Sequence, residues 1–138
     1  MTTPTSCVFC DILAGNLPAR MVYEDDGHIA FLPLEHINPG HVVLIPRQHT
    51  DYLFDLDAPA YQQLWAVVAK LAAPLRAAFS ARRVGVAVEG FNVPHVHVHL
   101  VPLHAFDQLS PARARAVDAA EADRLCHLIR TAFLTLRK

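Results

Sequence analysis

The segment His95-Val96-His97-Val98-His99-Leu100-Val101-Pro102 constrains this chain more than any other. Histidine alternates with Val, Val and Leu, a period of two, and β-branched residues favour an extended backbone. On a strand, residues 95, 97 and 99 project from one face while 96, 98 and 100 enter a core. Three imidazoles then stand in a row on a stiff support. Imidazole can serve as nucleophile, acid, base or metal ligand near neutral pH. His104 falls in even register, on the opposite side, and does not belong to the set.

The remaining composition narrows the setting. With 138 residues, 53% of them hydrophobic, the chain has apolar material for one domain with a substantial core. A net charge of −1 gives no reason to expect nucleic acid as a partner. No apolar run approaches the roughly 18 residues of a membrane helix, so no membrane association is expected. Met1 to Ser6 lacks the basic and apolar parts of a signal peptide. Three cysteines, with Cys126 far from the other two, make no disulfide framework, and a cytoplasmic protein is expected.

Along the chain, Cys7 to Ala14 reads as a short helix or turn ended by Gly15-Asn16 and Pro18. Arg20 to Glu24 and His28 to Leu32 read as strands joined at Asp25-Asp26-Gly27, and His41 to Ile45 as an apolar strand closed by Pro46. Asp57 is placed to cap a helix whose apolar face carries Leu64, Val67, Val68, Leu71 and Leu75; Pro74 should kink or divide it. Arg83 to Glu89 reads as a strand, with only a short loop before the histidine segment. Ser110-Pro111 reads as the start of a last helix with Val117, Leu125, Leu128, Ile129 and Phe133 on its apolar side. Arg113, Arg115, Arg124 and Arg130 read as its solvated face, and Cys126 as a buried small residue. Short hairpin connections favour an α+β domain: an antiparallel sheet with a central and a C-terminal helix on one side.

The chemistry lies in two motifs. A neutral imidazole is a good nucleophile toward phosphorus when its other nitrogen has a partner that fixes the tautomer, and neighbouring imidazoles can donate to phosphate oxygens. Cys7-Val8-Phe9-Cys10 is a Cys-x-x-Cys pair: a redox pair, two buried thiols, or half of a zinc site. Zinc needs two further ligands, for which His49 and His95 are candidates. A competing arrangement puts a catalytic metal on residues 95, 97 and 99.

The chain resembles the histidine-triad family of nucleotidyl hydrolases and transferases, bacterial type. The likeness runs over roughly residues 6 to 103 and rests on His95-Val96-His97-Val98-His99, Cys7 to Gly15, Val22-Tyr23-Glu24-Asp25, Ala30-Phe31-Leu32 and Pro39 to His49. It implies one histidine-triad domain over 1–138, with 110–138 as a C-terminal helical extension, and a homodimer whose sheets join. It implies that His97 attacks the α-phosphorus of a nucleoside phosphoramidate or dinucleoside polyphosphate, giving a nucleotidyl-histidine intermediate. His99 would contact the phosphate, with His41 in a supporting role. Val8, Phe9, Ile12, Phe31 and Leu34 match the apolar base pocket, and Asn92-Val93 the segment beside the phosphate. Cys7, Cys10, His49 and His95 match a closed, structural Cys₂His₂ zinc site.

Three departures from the family pattern bear on the substrate, one of them a short loop in which Glu89-Gly90 leads almost directly to Phe91. Pro33 stands where relatives carry an Asp or Asn that holds the ribose hydroxyls, and proline offers neither a polar side-chain atom nor an N–H. Phe91 stands where many relatives carry Gln. These changes motivate an alternative, a nucleotide-binding or regulatory module without significant turnover.

Overall fold

Period-two alternation sorts the apolar residues of this chain onto two sides of one sheet. The computed structural model describes residues 7–137, so the expectation for Met1 to Ser6 lies outside the described residues. Five strands, β1 (Met21–Glu24), β2 (His28–Phe31), β4 (Val42–Pro46), β5 (Arg83–Ala87) and β6 (Val98–Leu103), form an antiparallel sheet in the order β1-β2-β4-β6-β5. A separate antiparallel ribbon pairs β3 (Glu35–His36) with β7 (Arg115–Ala116).

One face of the sheet carries Ala30, Val42, Leu44, Val98 and Leu100, packed against α2 (Ala58–Ala78) and α3 (Ala119–Phe133). Leu64, Val67, Val68, Leu71 and Leu75 of α2 recur at helical spacing and meet Leu125, Cys126, Ile129 and Phe133 of α3. The odd-numbered partners Ile29, Phe31, Val43 and Ile45 face the other way, against Cys7 and Phe9 at α1 (Val8–Leu13). His97 and His99 belong to this second side, away from both long helices. The α+β architecture and the alternation around the histidines are as the sequence suggests.

Local chemistry fixes the ends of these elements. Asp57 caps α2 by accepting from Ala60 N–H at 2.8 Å. Gly15 follows α1 at φ +80°, the left-handed position that ends a helix. At the β1–β2 turn, Asp25 Oδ1 accepts from Gly27 N–H at 2.8 Å.

Four expectations need correction. Pro74 does not divide α2, which runs through it; the carbonyl it leaves unpaired is that of Lys70, on the exposed side. The last helix starts at Asp118, whose side chain accepts from Glu121 N–H, and not at Ser110. Ser110 caps a single 3₁₀ turn, Pro111–Arg113, before the chain extends into β7, so residues 110–118 are not part of the α-helix. Consequently the four arginines are not one helix face: Arg113 and Arg115 lie before the helix, and Arg130 Nε donates to Met21 O at 2.6 Å. Finally, the β5–β6 ladder closes at Ala87 and His99, so residues 88–97 form a longer connection, and β6 begins at Val98 instead of His95. Pro46 has no N–H to continue the β4–β6 ladder past Leu44 and Val98, and its carbonyl accepts from His95 Nε2–H at 2.8 Å instead.

Candidate active site and metal centre

The histidines form two groups with separate partners. His95, fully buried, donates through Nε2 to Pro46 O and therefore presents a lone pair at Nδ1. That atom lies 3.6 Å from Cys7 Sγ, 3.6 Å from Cys10 Sγ and 3.2 Å from His49 Nδ1; Cys10 Sγ is also 3.2 Å from His49 Nδ1. The four candidate ligand atoms all lie within 4.8 Å of one another. Bonds of about 2.3 Å to sulfur and 2.0–2.1 Å to nitrogen place the corners of a zinc tetrahedron about 3.3 to 3.8 Å apart. The donor set and its spacing fit such an ion. Burial, followed by the bond to Cys7, raises the Cys10 thiol to about 11, so this thiol stays protonated unless a cation draws off its proton. The sheet places this cluster by local means: Cys7 caps α1, its Sγ accepting from Cys10 N–H at 3.3 Å, and Val96 N–H holds the Thr50 carbonyl at 2.7 Å beside His49.

This geometry disfavours a metal shared by residues 95, 97 and 99. His97 Nδ1 donates to the His95 carbonyl at 2.8 Å, and His99 Nδ1 faces His41 Nε2 at 2.9 Å. The three rings are committed to different partners, and among the described residues the Cys7-Cys10-His49-His95 group is the one that converges as a metal site.

The second group is His97, His99 and His41, with ring centroids 5.1 Å apart for both neighbouring pairs. Each tautomer follows from a backbone group whose role is fixed. The His95 carbonyl accepts, so His97 carries its proton on Nδ1 and a lone pair on Nε2. Ile37 N–H donates to His41 Nδ1 at 3.0 Å, so neutral His41 carries its proton on Nε2. That proton is donated to His99 Nδ1, which leaves His99 with an N–H at Nε2. One backbone amide thus sets the orientation of two rings in series. Burial lowers the pKa of His97, overriding the bond to the His95 carbonyl. Burial, then the neighbouring imidazoles, lowers His41 to about 3 and His99 to about 4. All three rings are neutral near pH 7.

Of the expected pocket residues, Phe9 stands edge-on to His97 at 5.0 Å and to Phe31 at 5.4 Å between centroids. Ile12 and Val93 pack on the same apolar cluster as Phe9 and Phe31. Leu34 is not brought to that cluster and is 89% exposed; Val8 and Asn92 are exposed as well. Phe91 is 90% exposed, in the bend before the histidines. His36 was missed by sequence reasoning: it is buried, with its ring 6.4 Å from that of His41. A lone histidine in a two-residue strand carries no periodic signal. Among the described residues no helix is long and apolar enough to cross a membrane.

Comparison with known proteins bears on family and fold. The family model for the HIT domain matches residues 14–106. An uncharacterised HIT-like protein of Mycobacterium tuberculosis is 35% identical over 112 residues, covering 78% of each chain. An adenosine 5′-monophosphoramidase of Candida albicans is 30% identical over 114 residues, covering 74% of this chain and 73% of its own. The crystal structure of a zinc-bound histidine triad family protein from Mycobacterium smegmatis superposes with a TM-score of 0.81 at 30% identity, covering 96% of both chains. By family match, sequence and fold alike, the chain belongs to the HIT family.

Proposed function

We propose that the protein is a nucleotidyl hydrolase or transferase in which His97 Nε2 attacks the α-phosphorus of a nucleoside phosphoramidate or dinucleoside polyphosphate. The observation that carries this reading is the pairing of His97 Nδ1–H with the His95 carbonyl at 2.8 Å. It leaves the Nε2 lone pair available, and it gains strength as the ring becomes cationic on forming the Nε2–P bond. The P–N or P–O bond to the leaving group breaks, and that group departs with the bonding pair. Water, or another acceptor, then attacks phosphorus. The electron pair returns to His97 Nε2, the acceptor's proton passes to solvent, and a nucleoside monophosphate or its ester is released. Neutral His99 offers Nε2–H to a phosphate oxygen, and His41 acts through it as a positioning residue. Phe9, Ile12, Phe31 and Val93 form an apolar wall suited to a base.

Cys7, Cys10, His49 and His95 would hold zinc, which supplies a structural cross-link between α1 and the segment that carries the nucleophile. A homodimer joined along the β5 edge is consistent with the place of β5 at one side of the sheet. The relative whose name states phosphoramidase activity, and the zinc in the mycobacterial structure, support these readings. Acid-free denaturing quench of the enzyme with adenosine 5′-phosphoramidate, followed by peptide mass spectrometry, tests the covalent step. An adenylyl group on the peptide containing His97 is expected; its absence at every quench time, with turnover proceeding, would refute nucleophilic catalysis.

A further inference from the structure

Behind His41 lies a cavity of about 350 Å³ that the triad does not line. Its walls come from the β3–β7 ribbon, the turn at Asn38-Pro39 and the first turns of α3. His36 and Arg115 are directly opposite in the ribbon, so their side chains share one face. His36 is 5% exposed, and its Nδ1 is buried with no hydrogen-bond partner among the described residues. That atom has no accessible surface and is sealed behind the cavity wall, to which the rest of His36 contributes. Arg113 Nη2 is held by Asn38 Oδ1 at 2.8 Å, with no carboxylate on it, and Arg115 makes no ion pair among the described residues. The one acidic group on the wall, Glu121, is already matched by both arms of Arg124 at 2.7 and 2.9 Å. Ile37, Val117 and Leu125 supply apolar surface beside the two guanidinium groups.

From these contacts we infer that the cavity between the ribbon and α3 is a second binding site, for a phosphomonoester that carries a planar or apolar body. Two guanidinium forks match a dianionic phosphate, whose oxygens accept paired N–H bonds. The apolar wall and the volume exceed what a bare anion needs and fall within the usual range for small organic ligands. The site adjoins the triad through the backbone, since Ile37, on the cavity wall, donates its N–H to His41.

The site stands independently of the reading of His97, and NMR titration distinguishes the two. Amides of Arg115, Ala116 and Val117 report the cavity, while those of Phe9, His97 and His99 report the triad. Adenosine monophosphate should shift the first set saturably, and Arg115→Gln should weaken that binding by about tenfold or more while leaving triad shifts and turnover unchanged. Inorganic phosphate and adenosine should each bind the cavity about tenfold more weakly than the monophosphate. No saturable shift in the first set up to about 10 mM ligand would overturn the proposal. Equal binding by Arg115→Gln would do the same. Inorganic phosphate binding as tightly as the nucleotide would reduce the site to a simple anion hole and overturn the ligand class. Loss of triad shifts or turnover alone would count against His97 and leave this site standing.

Discussion

Replacing His41 with glutamine separates a positioning role from proton transfer. His41 is 2% exposed and bridges Ile37 N–H at 3.0 Å and His99 Nδ1 at 2.9 Å. Without the second bond, neutral His99 is free to carry its proton on either nitrogen and to turn its ring. A neutral hydrogen bond of this kind is worth about 0.5–1.5 kcal/mol net, which converts to a kcat lower by about 2- to 13-fold. General acid–base catalysis by His41 itself would instead cost about 10²- to 10⁴-fold. Glutamine keeps an acceptor for Ile37 N–H; His41→Ala leaves that amide unpaired beside a cavity and should cost about 3–5 kcal/mol of stability. The assay is steady-state turnover of adenosine 5′-phosphoramidate, together with ¹⁵N imidazole shifts of His99. The wild type should show the Nε2–H tautomer and the glutamine variant a mixture. A thousandfold loss of kcat, or an unchanged rate with an unchanged His99 tautomer, would refute the relay.

Three further outcomes follow from the same contacts. Exposed imidazole titrates near 6.5, whereas His41 and His99 are lowered to about 3 and about 4 in the fold, chiefly by burial. Between those values the unfolded chain binds more protons, so their stabilisation is complete above about 6.5 and is lost as pH falls toward 3. Tm should therefore drop steadily from pH 7 to 4.5, and a flat or rising profile would contradict the burial assigned to these rings. Cys10→Ser should remove stoichiometric zinc from the purified protein and lower its Tm, while His97→Gln should keep the metal; elemental analysis reads both. Gly40→Ala places a Cβ 2.7 Å from the Phe79 ring and from Pro102 Cγ at a φ of +95°, and should cost about 2–4 kcal/mol in urea unfolding.

What was legible in the sequence was local and periodic. Alternation placed Val98 and Leu100 in the helix-side core and His99 on the other side by strand geometry, and Val96 reaches the same core although it precedes β6. The Asp57 cap and the apolar stripe of α2 were legible for the same reason. Cys7, Cys10, His49 and His95 came together as the family likeness implied, although no spacing rule alone could join residues so far apart. Helix α3 was misread at its start because Ser110-Pro111 and Asp118 carry equivalent capping chemistry. Only the pairing of Arg115 with His36, a long-range contact, decides that the chain first extends into β7. That pairing also gives His36 and Arg115 their place on the cavity wall, which no local pattern announces. Leu34 shows the limit in the other direction: an apolar residue matched to a pocket position, yet 89% exposed.

The most direct measurement is hydrolysis of adenosine 5′-phosphoramidate and a diadenosine polyphosphate by the wild type and by His97→Ala, with circular dichroism to check that the variant is folded. Turnover by the wild type and loss of at least about 10³-fold in the folded variant are expected if His97 Nε2 forms the bond to phosphorus. An undiminished rate in His97→Ala would contradict that central claim. Absence of turnover by both proteins would contradict it too, and would favour the alternative of a nucleotide-binding module without turnover.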